Sequence, residues 1–131
     1  MTIFEAIGIA GTGVTVNRKW MDAVSDNLAN MNTAVSADED AFQARYVVAR
    51  EAGDGKGVQM GGIVLGGTEG RLAYEPDNPL ANEDGYVKYP DIDMSTQMTS
   101  LLMAQRAYQA NLAVVDRAKD AYQAALQLGK G

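Results

Sequence analysis

Along the C-terminal third of the chain, apolar side chains return at alternating steps of four and three residues. Met94, Met98, Leu101, Tyr108, Leu112, Val115, Tyr122 and Leu126 keep that spacing, and Gln105 and Lys119 fill the two remaining places in the row. Sustained over more than four heptads, the pattern predicts a helix carrying an a/d seam of the coiled-coil kind. Asp93 stands where an N-cap belongs and Gly129 where a helix stop belongs, which bounds the element at 93–128. At 1.5 Å per residue such a helix runs roughly 50 Å. A compact domain of this size has a radius of gyration of about 14 Å, so the helix outruns its own domain. Residues 94–105 hold no ionisable side chain, and Leu102, Met103, Val114 and the alanines at 107, 110, 113, 118, 121 and 125 lie off the row. A helix apolar or small-sided most of the way round needs neighbours on several faces. One short chain cannot supply them all, so residues 94–105 and the alanine rows are expected to meet other subunits.

A second stretch, residues 3–31, keeps the same spacing through Ile3, Ile7, Ala10, Val14, Met21, Val24, Leu28 and Met31, interrupted by Asn17. A lone Asn in such a row commonly fixes register at some cost in stability. Gly8, Gly11 and Gly13 each cost up to about 1 kcal/mol of helix propensity relative to Ala. The first half of this helix therefore depends on packing, and its small residues allow another helix to approach closely. Between the two helical stretches the period changes to two. Residues 43–50, 57–65, 71–75 and 86–89 read as short strands, separated by turn signals at Gly53-Asp54-Gly55, Gly66-Gly67 and Asp84-Gly85. Residues 30–41 read as a polar loop. All three prolines, Pro76, Pro79 and Pro90, fall in this middle block. The expected architecture is mainly α with a small β-rich insert. Its two long terminal helices pair as an antiparallel coiled coil, with divisions at 1–33, 34–92 and 93–131.

Charge separates the same parts. The formal net charge is −6 over 131 residues, and residues 34–92 carry eleven acids against five bases while both ends are nearly neutral. The insert is an acidic, solvated body, and without a basic stripe to displace counterions no nucleic-acid partner is expected. There is no Cys, hence no disulfide framework and no thiol metal site. No apolar run approaches the ~18 residues of a membrane span. The N-terminus lacks the basic n-region of a cleaved signal, its only early charge being Glu5.

Catalytic chemistry is scarce. With neither His nor Cys, the commonest general base and the commonest thiol nucleophile are both missing. Ser95 and Ser100 have no Lys or carboxylate at triad spacing and read as small polar helix surface. Gly8-Ile9-Ala10-Gly11-Thr12-Gly13 has the glycines of a phosphate loop but no preceding strand. The acidic groups Asp38-Glu39-Asp40 and Asn82-Glu83-Asp84 lack calcium-loop spacing. Tyr108 and Tyr122, at seam spacing, read as helix packing. No catalytic residue, metal, cofactor or small-molecule substrate is expected.

Three stretches carry a resemblance. Residues 25–33, Ser-Asp-Asn-Leu-Ala-Asn-Met-Asn-Thr, resemble the Asn-Leu-Ala-Asn motif of flagellar rod and hook axial proteins. Residues 74–81 (Tyr-Glu-Pro-Asp-Asn-Pro-Leu-Ala) and 85–93 (Gly-Tyr-Val-Lys-Tyr-Pro-Asp-Ile-Asp) are similar to the signature of the proximal-rod branch of that family. Residues 107–112, leading to 124–129, resemble its C-terminal helix. Met31, Ala41-Phe42, Asp91-Ile92 and the loop at 32–41 depart from the family's pattern. The resemblance implies a structural subunit of the shaft that transmits torque from rotor to hook, built from copies of this chain and other rod proteins. It implies contact with the rotor ring and with hook-basal body proteins. It also implies export through the flagellar type III apparatus without signal cleavage, followed by assembly in the periplasm. The residues expected at the assembly interface are Ile7, Val14, Met21, Val24, Asn27, Leu28 and Asn30 on the first helix. On the second they are Met94, Met98, Leu101, Tyr108, Asn111, Leu112, Val115, Tyr122 and Leu126. The alternative from the residues alone is a soluble acidic coiled-coil adaptor binding one helical partner.

Overall fold

Two helices dominate the computed structural model, which describes residues 2–131. Helix α1 spans Ile3–Asn30 and helix α2 spans Met94–Lys130, with five short strands between them. Thr2 starts α1 with a reciprocal cap: its hydroxyl accepts from the Glu5 amide at 3.1 Å, and its own amide donates to the Glu5 carboxylate at 3.0 Å. Asp93 starts α2, its carboxylate accepting from the Thr96 amide at 2.9 Å and the Thr96 hydroxyl at 2.6 Å. Gly129 does not end α2, contrary to the sequence expectation. The helix continues to Lys130, because a glycine terminates a helix only where the chain turns back into a left-handed conformation, and Gly129 has no positive φ.

The insert forms two small sheets. Strands β2 (Arg45–Glu51) and β3 (Val58–Leu65) make an antiparallel hairpin with a bulge between Val48 and Ala49. The other sheet has the order β1-β5-β4, from Val35–Ser36, Tyr86–Tyr89 and Arg71–Tyr74, all antiparallel. Strand β1 lies inside the stretch expected to be loop. Its two residues pair with Lys88 and Val87, a match too short to leave any period in the sequence. Val87 in the central strand β5 and Pro90 just after it are fully buried.

Helix α1 is the middle layer, with α2 on one side and the β2–β3 hairpin on the other. That position explains why α1 buries Ala10, Gly13, Val16, Ala23, Val24 and Asn27, whereas α2 buries only Gln97 and Ala104. Residue numbers rise along one helix as they fall along the other. Phe4 meets Tyr122 edge-on at 5.0 Å, Gly13 sits against Asn111, and Asn27 reaches Gln97. Among the described residues no helix is long and apolar enough to cross a membrane.

Candidate assembly interface

The row of α2 that faces α1 is not the row of largest side chains. Gln97 and Ala104 are buried, and Leu101, Ala107, Tyr108, Asn111, Val115 and Ala118 are half-buried. These trace a four-three stripe through 97, 101, 104, 108, 111, 115 and 118. Relative to the row read from the sequence it is rotated by one position at every second place, and the two share Leu101, Tyr108 and Val115. The physical reason is close approach: small and polar groups fill the line of contact. A Cβ on Gly13 would lie 2.7 Å from the Asn111 Nδ2, so the helices meet there without room for a methyl group. Gly8 and Gly11, which the sequence suggested for the same role, face open space.

Rotation of the stripe leaves large apolar groups outside. Met94, Met98, Leu112, Tyr122 and Leu126 are all exposed, as are their off-row neighbours Leu102, Met103, Val114 and Leu128. On α1, Ile7, Val14, Met21 and Leu28 are half-buried, Val24 is buried, and Phe4 is 62% exposed. From residue 119 onward every residue of α2 is exposed, and Tyr122 still meets Phe4 of α1. The insert adds a second apolar surface. Tyr46, Val48 and Val64 are exposed on the hairpin, and Leu72, Tyr74 and Tyr86 on the three-stranded sheet, where Tyr74 and Tyr86 pack at 5.3 Å.

Asn27, the first residue of the Asn-Leu-Ala-Asn motif, joins the three layers. Its side chain is 0% exposed. The Oδ1 accepts from the Arg45 amide at 2.7 Å, and the Nδ2 donates to the Arg45 carbonyl at 2.9 Å and to the Gln97 Oε1 at 3.1 Å. The amide side chain thus pairs with the first residue of β2 as a neighbouring strand would, and spends its remaining donor on α2. All its bonding capacity but one lone pair is used, which a buried amide requires. Asn30, half-buried, donates to the Asp26 carbonyl at 2.8 Å, and its carbonyl accepts from the Thr33 amide at 3.0 Å where α1 ends. Beside the junction, Arg45 bridges to Asp26 at 3.1 Å on the surface.

The second sequence motif is held as firmly. Glu75 accepts from the Tyr89 hydroxyl at 2.9 Å and from the Asn78 Nδ2 at 2.8 Å, and Asn82 Oδ1 accepts from the amides of Asp84 and Tyr86. The hydrogen bond to Glu75 pushes the Tyr89 phenol above its ordinary pKa, and Arg71 lies over the same ring at 4.9 Å. These contacts fix the loop from 75 to 85 against β5. A cleft of about 290 Å³ opens among the loops that flank the strands, bordered by Phe42, Tyr46, Glu69 and Asp91 among others. It holds no nucleophile–base pair, and among the described residues no three carboxylates stand close enough to hold a metal.

Of the expected interface residues, Asn27 and Asn111 meet partners within the chain, Tyr122 meets Phe4, and Met94, Met98, Leu112 and Leu126 keep a large part of their surface exposed. Gln97 and Ala104 were not singled out for the pairing of α1 with α2, whereas Gly13, expected to allow the close approach of a helix, does so at Asn111. The available signal was the seven-residue repeat Gln97, Ala104, Asn111, Ala118, hidden because its members are small or polar.

Comparison with known proteins places this arrangement. Residues 83–128 match the family described as flagellar basal body rod FlgEFG protein C-terminal. The flagellar basal-body rod protein FlgC of Salmonella typhimurium (strain LT2) is 32% identical over 134 residues, covering 99% of this chain and 100% of the relative. That of Escherichia coli O6:H1 is 33% identical over 135 residues with the same coverage, and that of Bacillus subtilis (strain 168) is 29% identical over 150. With full-length identity above 30% and the junction motif in place, the chain belongs to the flagellar basal-body rod protein FlgC family.

Proposed function

We propose that the chain is a structural subunit of the proximal rod of the bacterial flagellar basal body, assembling with its own copies and other rod proteins into the torque-transmitting shaft. The observation that carries this is the row of large apolar side chains left outside the fold along α2. Covering a half-exposed Leu or Met contributes on the order of 1 kcal/mol. One such face between two subunits barely offsets an association cost of about 4–15 kcal/mol. Contacts repeated on several faces of each subunit exceed that cost, and heterologous contacts that do not close build a helical array. In this reading α1 and α2 form an antiparallel coiled coil, and the interface comprises the residues named above on both helices. Full-length likeness to rod proteins does not favour the soluble adaptor.

The function is mechanical, with no turnover. Load passes through interlocked side chains, and Asn27 keeps the hairpin at a fixed angle to the helices while it does. The chain reaches the rod through the flagellar type III apparatus and acts on the periplasmic side. Leu112→Asp tests the reading. Leu112 is 39% exposed, so the charge should leave the isolated chain folded, yet bury an uncompensated carboxylate in the array. Loss of motility, and absence of the variant from purified basal bodies, is expected; normal swimming would overturn the assignment.

A further inference from the structure

We infer that the tip of the β2–β3 hairpin is a strap that orders the N-terminal half of α1. Elsewhere that half meets α2 through the Phe4–Tyr122 pair and the close fit of Gly13 to Asn111. Its inward residues Ala6, Ala10 and Gly13 are small, and they border an open cleft of about 400 Å³ between α1, α2 and the hairpin tip, with Asn111 and Val114 opposite. Gly8 and Gly11 lower its intrinsic helicity, and no side chain packs where their Cβ atoms would be. Before residue 15, among the described residues, only the small Ala10 and Gly13 are buried, whereas beyond it the larger Val16, Val24 and Asn27 are buried along with Ala23.

The tip reaches this weak segment at three points. Lys56 Nζ donates to Glu5 Oε1 at 3.0 Å, adding a cation to the carboxylate that already closes the Thr2 cap. The Val58 amide donates to Thr12 Oγ1 at 3.1 Å, while that hydroxyl donates to the Ile9 carbonyl at 2.6 Å. Gly57, at φ +122°, passes so close to Thr12 that a Cβ would collide with its hydroxyl. The tip itself is pre-shaped, with Ala52 N bonded to Gly57 O and Lys56 N to Asp54 Oδ1. A rigid turn from the insert thus supplies the hydrogen bonds that small apolar contacts cannot.

The test is amide hydrogen exchange on the full purified chain, comparing wild type with Thr12→Val plus Lys56→Gln. Losing two such bonds should speed exchange at residues 6–14 about tenfold and leave residues 20–28 unchanged. Thr12→Ser with Lys56→Arg, which keeps both bonds, should restore protection. Unchanged exchange at 6–14 would overturn the inference. So would equal loss of protection throughout the chain, since the tip would then be part of one cooperative fold and not a strap on one segment. The Lys56→Gln single variant removes only an exposed pair and secures the comparison if the double variant folds poorly.

Discussion

Replacing Asn27 by Ala should strongly destabilise the isolated chain. The substitution removes three hydrogen bonds from a side chain with no exposed surface. It leaves the Gln97 carbonyl without a partner in a residue only 4% exposed, and frees the amide and carbonyl of Arg45 at the edge of β2. A buried polar group without a partner costs about 1–3 kcal/mol. Arg45 recovers part of its loss from water, because its side chain and surroundings reach the surface. The sum is about 3–5 kcal/mol, a large share of the 5–15 kcal/mol typical of a domain. Asn27→Asp is the isosteric control: it keeps the shape, discards both donors and sets a carboxylate against two carbonyl oxygens, so it should lose at least as much. Gln97→Ala removes one bond and leaves Asn27 joined to Arg45, so its cost should stay near 1–2 kcal/mol. Urea unfolding followed by circular dichroism measures all three. A loss below about 1 kcal/mol for Asn27→Ala, or equal losses for Asn27→Ala and Gln97→Ala, would refute the three-layer junction.

Two further outcomes follow from the N-terminal half of α1. Gly8→Ala should raise stability by up to about 1 kcal/mol, since Ala is the better helix former and nothing lies within 4 Å of the new Cβ; a fall in the urea midpoint would show a hidden contact. Glu5 is held below the ordinary glutamate pKa, first by the Thr2 amide and then by Lys56. Its contribution is therefore present above the ordinary value and lost as pH falls through the depressed one. Protection at the first turn of α1, measured relative to the intrinsic exchange rate at each pH, should fall on acidification before the centre of the helix responds, and Glu5→Gln should abolish that dependence; identical protection profiles for the two chains would contradict it.

The elements were legible where a period ran long enough to be counted. Both helices, the four longer strands and the Asp93 cap follow from spacing and turn residues. Strand β1 was not, because two residues have no period and pair only through the backbone of Lys88 and Val87. The Asn-Leu-Ala-Asn motif could be seen in the sequence, but the work of its first Asn could not. Asn27 bonds Arg45, 18 residues away, and Gln97, 70 residues away. Neither partner carries a local sign of the contact, and a buried amide looks the same in sequence as an exposed one. The strap is similar: Thr12 and Lys56 become partners only once the hairpin folds back over α1.

The two rows on α2 explain why the seam read from the sequence was displaced. Size marks a seam when a helix has one partner, and the largest residues then point at it. Here the partner within the chain is met by Gln97, Ala104, Asn111 and Ala118, facing a helix whose buried residues include Ala10, Gly13, Ala23 and Asn27. Small surfaces let two helices approach closely, but they bury little apolar area. Met94, Met98, Leu112 and Leu126 stay outside, available to a neighbour. Leu101, Tyr108 and Val115 belong to both rows and are half-buried in the single chain. They sit at the border, with one flank covered from within and the other open. It follows that substitutions along α2 divide by position. A bulky residue at Ala104, which is 0% exposed, should damage folding itself. A charge at Leu112 should spare folding and prevent assembly. A truncation at Leu101, Tyr108 or Val115 should weaken both, because the same side chain closes the fold on one side and, in the proposed assembly, the array on the other.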